Sequence, residues 1–259
     1  MTDQTVLVDR TAGVATITMS APALTLASKV ALRDALADVA SDPEVRAVVL
    51  AGGSKGFYVG QDLAEHDAAL ADGAVAAFTT VREHYSPIVR SLMTMPKPVV
   101  AAVAGVCVGA GLGLAIACDY RVFSREAKLG TAFTGIGLTF DTGLSFTLPR
   151  AVGHARATEL ILFGRIFGPT DAIAWGIAGE AVDVDEVLDR AVARATELAH
   201  GPTAAFAETK RLMLTGSNRS LDDALEAEAV AQTSCGGTRD HAAAVTAFIR
   251  REKPLFNGQ

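Results

Sequence analysis

The chain has 259 residues, half of them hydrophobic and 20% charged, which suits a buried α/β core, with or without a helical appendage, and excludes a disordered polymer. Its formal charge of −6 provides no overall basic field for nucleic acid, while leaving room for a local patch that meets a phosphate-bearing ligand. Cys107, Cys118 and Cys235 form neither a CxxC pair nor a Cys/His cluster, and the opening MTDQTVLVDR has no apolar signal core, so the expectation is a soluble, cytoplasmic protein with reduced, buried thiols and no metal.

In chain order, Val6–Asp9 and Val14–Met19 flank Thr11–Gly13 as a hairpin. Ser28–Ala40 has helical spacing of its apolar residues, and Ala47–Ala51 is a short apolar strand ending in Gly52-Gly53. The loop Ser54–Gly60 leads to Asp62, and Val75–Met95 reads as one helix stopped by Met95-Pro96-Lys97-Pro98. Pro98–Ala117, the longest apolar stretch, contains four glycines. It reads as a buried strand, Val99–Val103, a glycine turn and a core helix, and makes a poor membrane span. Tyr120–Phe123 is a third strand, so the first half predicts a mixed α/β core of roughly parallel strands. Beyond Gly153 the texture is helical, over 154–163, 170–175, 184–200, 202–214, 221–232 and 239–252. Apolar faces such as Leu188, Val192, Ala195 and Leu198 suit packing on the chain's own core or on a neighbouring subunit.

Three glycine-rich segments follow predicted strands. They are Lys55-Gly-Phe-Tyr-Val-Gly60-Gln61-Asp62-Leu63, Gly105-Val-Cys-Val-Gly109-Ala110-Gly111-Leu-Gly113, and Phe133-Thr-Gly-Ile-Gly137-Leu-Thr-Phe-Asp141-Thr-Gly143. Glycine at such junctions lets a ligand approach the backbone and leaves helix N-terminal N–H groups free. Two of these N–H groups converging on one point would make an oxyanion hole. Taken singly, each run is also an ordinary tight turn.

Together the three segments, followed by Pro149-Arg150-Ala-Val-Gly153 and the closing Ala247-Phe248, Lys253-Pro254, Phe256 and Gly258, resemble the enoyl-CoA hydratase/isomerase (crotonase) family over nearly the whole chain. The resemblance implies a spiral of β-β-α units over residues 1–200 and a helical trimerisation region over 201–259. The implied assembly is a homotrimer or dimer of trimers, with no nucleic-acid or membrane partner. The implied substrate is an acyl-CoA thioester, coenzyme A entering only as part of it, with no other cofactor. By resemblance the oxyanion donors are the N–H groups of Gln61 and Ala110. Ala23, Leu24, Val59, Gly60, Asp62, Leu63, Gly109 and Phe133 line the substrate site, and Lys253 and Phe256, with Lys210, reach coenzyme A. Asp62 supports its turn.

The chain departs from a hydratase of that family. Where hydratases carry two water-activating glutamates, alignment on Cys118-Asp119 and on Gly137 places Gly113 and Phe133. Each such group is worth about 10²–10⁴-fold, so the water-addition route is expected to be nearly absent. Asp141 stands instead where related ring-epoxide and enoyl isomerases of the phenylacetate type have an aspartate, which makes it the expected acid/base. The run Asp141-Thr142, Ser145 and Leu148 also resembles the nucleophile segment of 4-chlorobenzoyl-CoA dehalogenase. That enzyme's assisting histidine should fall within 86–90, which holds none, although His84 is close. A plain turn or helix-cap aspartate is the alternative for Asp141. Glu65 and His66 could line the acyl pocket, with solvated loop residues as the favoured alternative, and Tyr85 could donate into the pocket, with a core aromatic as the favoured one. An acyl-CoA-binding protein without turnover is a third possibility.

Overall fold

The computed structural model describes residues 5–53 and 56–259. The first four residues of the N-terminal segment and Ser54-Lys55 of the first glycine segment lie outside the described residues. Strands β1 (Val6–Thr11) and β2 (Val14–Met19) form the expected hairpin, turning through Ala12 and Gly13 with positive φ. Helix α1 (Leu26–Ser41) is capped by the Thr25 hydroxyl, which accepts from Ser28 N at 3.2 Å. Strand β3 (Ala47–Ala51) and strand β4 (Val99–Val103) are buried throughout, as strands covered on both faces must be.

The predicted single helix over 75–95 is instead three pieces, with α2 (Leu63–Leu70) ahead of them. Helix α3 (Ala74–Thr80) passes through a π-helical turn, Val81–Tyr85, into α4 (Ser86–Thr94). A π turn inserts one extra residue per bonded ring, which apolar spacing does not reveal. Then follow β5 (Cys107–Val108), the wholly buried α5 (Ala110–Ala117), β6 (Tyr120–Ser124) and β7 (Leu129–Gly130).

Beyond a 3₁₀ turn at Phe133–Ile136 come α6 (Leu144–Val152), α7 (His154–Phe163), β8 (Ile166–Phe167), α8 (Pro169–Ala174) and β9 (Gly179–Val182). The C-terminal part is α9 (Val187–Ala199), α10 (Thr203–Gly216), α11 (Leu221–Gly236) and α12 (Arg239–Ile249). The sequence reading had no strand beyond Gly153, yet β9 completes the main sheet.

That sheet runs β1-β2-β3-β4-β6-β9, parallel apart from the first hairpin, and a second sheet joins β5-β7-β8. One face carries the main core, including Leu32, Leu36, Leu50, Ile88 and Leu112; the other is covered by α9 through Val187, Ala191, Ala195 and Ala199. This is the mixed α/β spiral expected from the sequence. Among the described residues no helix is long and apolar enough to cross a membrane.

Candidate active site

A cavity of about 510 Å³ opens where the C-terminal ends of the core strands meet the glycine turns. Two of those turns are fastened to each other. Phe57 N donates to Val106 O and Val108 N to Tyr58 O, both at 3.1 Å. A side chain at Gly111 would place its Cβ 1.9 Å from Tyr58 O, so only glycine lets α5 come this close.

Residue Leu24, fully buried, pairs in parallel with Gln61: Leu24 N donates to Gly60 O at 2.8 Å, and Asp62 N to Leu24 O at 3.1 Å. Alternate peptide groups of an extended segment face opposite ways, so the Gln61 N–H points away from Leu24. Ala110 is the first residue of α5, after Gly109 at φ +57°, and its N–H belongs to the helix end that has no intrahelical acceptor. A Cβ on Gly60 would stand 3.9 Å from Ala110 N. Gln61 and Ala110 both line the cavity.

Two carboxylates line the wall. Asp62 is used locally: its Oδ1 caps α2, accepting from Ala64 N at 3.1 Å and Glu65 N at 3.0 Å. Asp141 is half-buried, its Oδ1 is sealed from solvent, and that oxygen has no hydrogen-bond partner among the described residues. Burial pushes its pKa up to about 6. The Thr142 hydroxyl, near but outside hydrogen-bond geometry, and the charge of Lys29 hold it from rising further. The turn itself is strained, because Thr142 has φ +49° before Gly143 at +75°, and a β-branched residue rarely adopts that region. Thr142 sits against Gly113: a Cβ there would lie 1.9 Å from Thr142 Oγ1.

Of the residues expected at the site, Ala23, Val59, Gly60, Gln61, Asp62, Leu63, Gly109, Ala110, Phe133 and Asp141 share this cavity. Leu24 serves through its backbone. Lys253 and Phe256 do not line the cavity; the Phe256 carbonyl accepts from Arg46 Nη1 at 3.0 Å. Lys210 is a structural residue rather than a free cation. Its ammonium donates to Leu92 O (3.1 Å), Lys97 O (2.9 Å) and the Asp119 carboxylate (2.7 Å).

His66 and Tyr85, for which the sequence favoured a solvated loop position and a core position over a place in the pocket, both line the cavity, with Phe78 and Val81. The His66 ring packs edge-on to Phe78, its Nδ1 buried and without a partner among the described residues. Neither signal could be read from spacing, because the π turn and the short α2 bring these residues in. His84 is no part of the wall; it meets the Thr80 hydroxyl at 3.1 Å. Glu65 is a backbone support, its carboxylate accepting from Leu26 N at 2.7 Å.

A larger hollow of about 870 Å³ lies beside α10, but its cations are already engaged. Arg194 pairs with Glu180 at 2.7 Å and Glu197 at 3.1 Å, and Arg121 with backbone carbonyls. The smaller cavity, by contrast, holds a carboxylate oxygen with no partner among the described residues, and Gln61 and Ala110 line it too.

Comparison with known proteins gives a consistent neighbourhood. The family model described as enoyl-CoA hydratase/isomerase matches residues 9–259. A Rhodobacter capsulatus protein assigned as an enoyl-CoA hydratase is 36% identical, covering 100% of both chains. The 1,2-epoxyphenylacetyl-CoA isomerase of Escherichia coli K12 is 35% identical over 88% of this chain and 87% of its own. Among solved structures, one assigned as an enoyl-CoA hydratase/isomerase from Mycobacterium abscessus superposes with a TM-score of 0.94 at 47% identity, covering 98% of this chain and 100% of that one.

Proposed function

The chain belongs to the enoyl-CoA hydratase/isomerase family, and from that premise we propose that it is an acyl-CoA isomerase that moves a double bond, or opens a ring epoxide, with Asp141 as its acid/base. The observation that carries this reading is the unpaired Oδ1 of Asp141 on an apolar wall that also presents the Gln61 and Ala110 N–H groups.

A thioester C–H beside or conjugated to the carbonyl is too weakly acidic for a carboxylate in water. Two N–H donors aimed at the enolate oxygen lower that barrier by about 3–4 kcal/mol apiece. A buried carboxylate with a raised pKa is the stronger base. Asp141 takes the proton from one carbon, the negative charge settles on the thioester oxygen, and the same carboxylic acid returns the proton at another carbon. The double bond moves and nothing else is consumed.

Hydration is disfavoured by the same geometry, since Gly113 and Phe133 offer no carboxylate for water. A second reading is attached to one observation, the His66 imidazole on the same wall. With Asp141 as nucleophile and His66 as base, the site would release halide or free coenzyme A. The deciding experiment follows a 3-enoyl-CoA spectroscopically with wild type and Asp141→Asn. Wild type should form the conjugated 2-enoyl-CoA, and the variant should be slower by about 10²–10⁴-fold. An equal rate in the variant overturns the assignment. Free coenzyme A or halide release supports the second reading, and binding without turnover makes this an acyl-CoA-binding protein.

The proposal extends to assembly: residues 1–200 form the core and 201–259 a helical region that associates as a trimer or dimer of trimers. Support comes from large apolar side chains left in the open on that region, Phe248 (84% exposed), Ile249 (77%) and Leu255 (80%). It also fits Lys253 and Phe256 lying away from the cavity of their own chain. Light scattering should give three or six times the chain mass, and Phe248→Asp should lower it; a monomeric wild type removes the proposal.

A further inference from the structure

Beside Asp141 the cavity wall holds a group that the proton transfer does not use. Tyr85 is 1% exposed, and its hydroxyl has no partner among the described residues. It closes the π-helical turn Val81–Tyr85, a distortion frequent at functional sites. Around it the wall is apolar, with Phe78, Val81 and Phe133.

Behind the ring lies Lys29 of α1, also 1% exposed. A fully buried lysine is rare unless paired. Here the ammonium donates to Thr80 Oγ1 at 2.8 Å and sits 5.2 Å from the centroid of the Tyr85 ring. A cation over an aromatic face is held by the ring's electrons and in turn draws density from the phenol, which makes the O–H a better donor. Burial, and then the charge of Asp141, push the phenol's pKa above its usual value, so the group keeps its proton.

Resting on the acyl-CoA reading of this cavity, we propose that Tyr85, backed by the Lys29 ammonium, is the pocket's hydrogen-bond donor to an oxygen carried by the acyl group, so that the site selects oxygen-bearing acyl chains (hydroxyl, carbonyl or epoxide) over hydrocarbon chains of the same shape. The physical reason is asymmetry. A buried donor left unpaired by a hydrocarbon ligand keeps its full desolvation penalty, whereas an acceptor of the right reach removes it. A site built around such a group therefore discriminates against analogues that lack the partner. Lys29 is a positioning residue in this arrangement and touches no substrate.

The test is a binding equilibrium, independent of turnover. Phenylacetyl-CoA and 2-hydroxyphenylacetyl-CoA are titrated calorimetrically into wild type, Tyr85→Phe and Lys29→Met, each first shown by thermal melting to be folded. Wild type should prefer the hydroxylated probe by on the order of 10–100-fold. The ratio should fall to about one in Tyr85→Phe and to an intermediate value in Lys29→Met. Equal affinities in wild type, or a Tyr85→Phe variant that keeps the wild-type ratio, overturn the proposal. Selection without isomerase turnover leaves it standing and removes the isomerase reading. Isomerase turnover without selection does the reverse, and no binding of either probe removes both.

Discussion

Gly113 is the position where the proposed isomerase reading departs from water addition. The resemblance to hydratases puts a glutamate at this position, and here the space is already taken, with Thr142 Oγ1 1.9 Å and Thr142 Cβ 2.6 Å from any Cβ built on the glycine. Introducing a glutamate by Gly113→Glu should therefore give no hydratase. It should cost at least about 2–3 kcal/mol of stability, as overpacking in a dense core does, and a urea titration with a 2-enoyl-CoA hydration assay would check both outcomes. Asp141 makes a second prediction at this scale. As a base it must be ionised, so kcat/KM for isomerisation should rise with pH through about 6 and then level. Lys29 holds that pKa down; removing its charge in Lys29→Met should move the acid limb to higher pH, as a pH-rate profile of both proteins would show.

Helix α5 depends on a residue outside itself. The Arg121 guanidinium, from β6, is 5% exposed and donates to the carbonyls of Ala115 and Ile116 (3.2 Å each), Cys118 (2.9 Å), Asp119 (2.9 Å) and Ala178 (2.7 Å). It satisfies the end of the helix whose other end offers the Ala110 N–H. Arg121→Met should cost about 3 kcal/mol by orphaning those acceptors, seen as a melting temperature lower by about 6–12 °C. Elements of this kind were legible where local chemistry announced them. Val99–Val103 and Ala47–Ala51 are apolar runs closed by glycine or proline, and His154–Phe163 starts and stops on glycine. The π turn could not be read, because its side chains still look helical in spacing. β9 was hidden because Gly179–Val182 becomes a strand only by pairing with Arg121–Ser124. The Asp141 turn was legible by motif, whereas His66 and Tyr85 were weighed for the pocket but not favoured, because their place depends on how distant segments close over the cavity.

At the scale of the whole molecule, the cavity lies where the parallel strands end, and on the proposed reading the helical region over 201–259 is left for assembly. Ten of the residues inferred from the sequence meet in that one cavity, whereas Lys253 and Phe256 do not line it. The C-terminal tail is nonetheless tied to the body. Arg46 reaches Phe256 O (3.0 Å), Gly201 O (2.6 Å) and the Thr203 hydroxyl (3.0 Å), and Asp240 accepts from Asn257 N (2.7 Å) and Gly258 N (2.8 Å). Arg46 and Phe256 are 210 positions apart, so closing that ring carries an entropic cost repaid only by a body already in place. The expected order of events on folding is core first, clasp last. The knot that ties the helical end of the chain to the loop before β3 is then a latch, set late and released early.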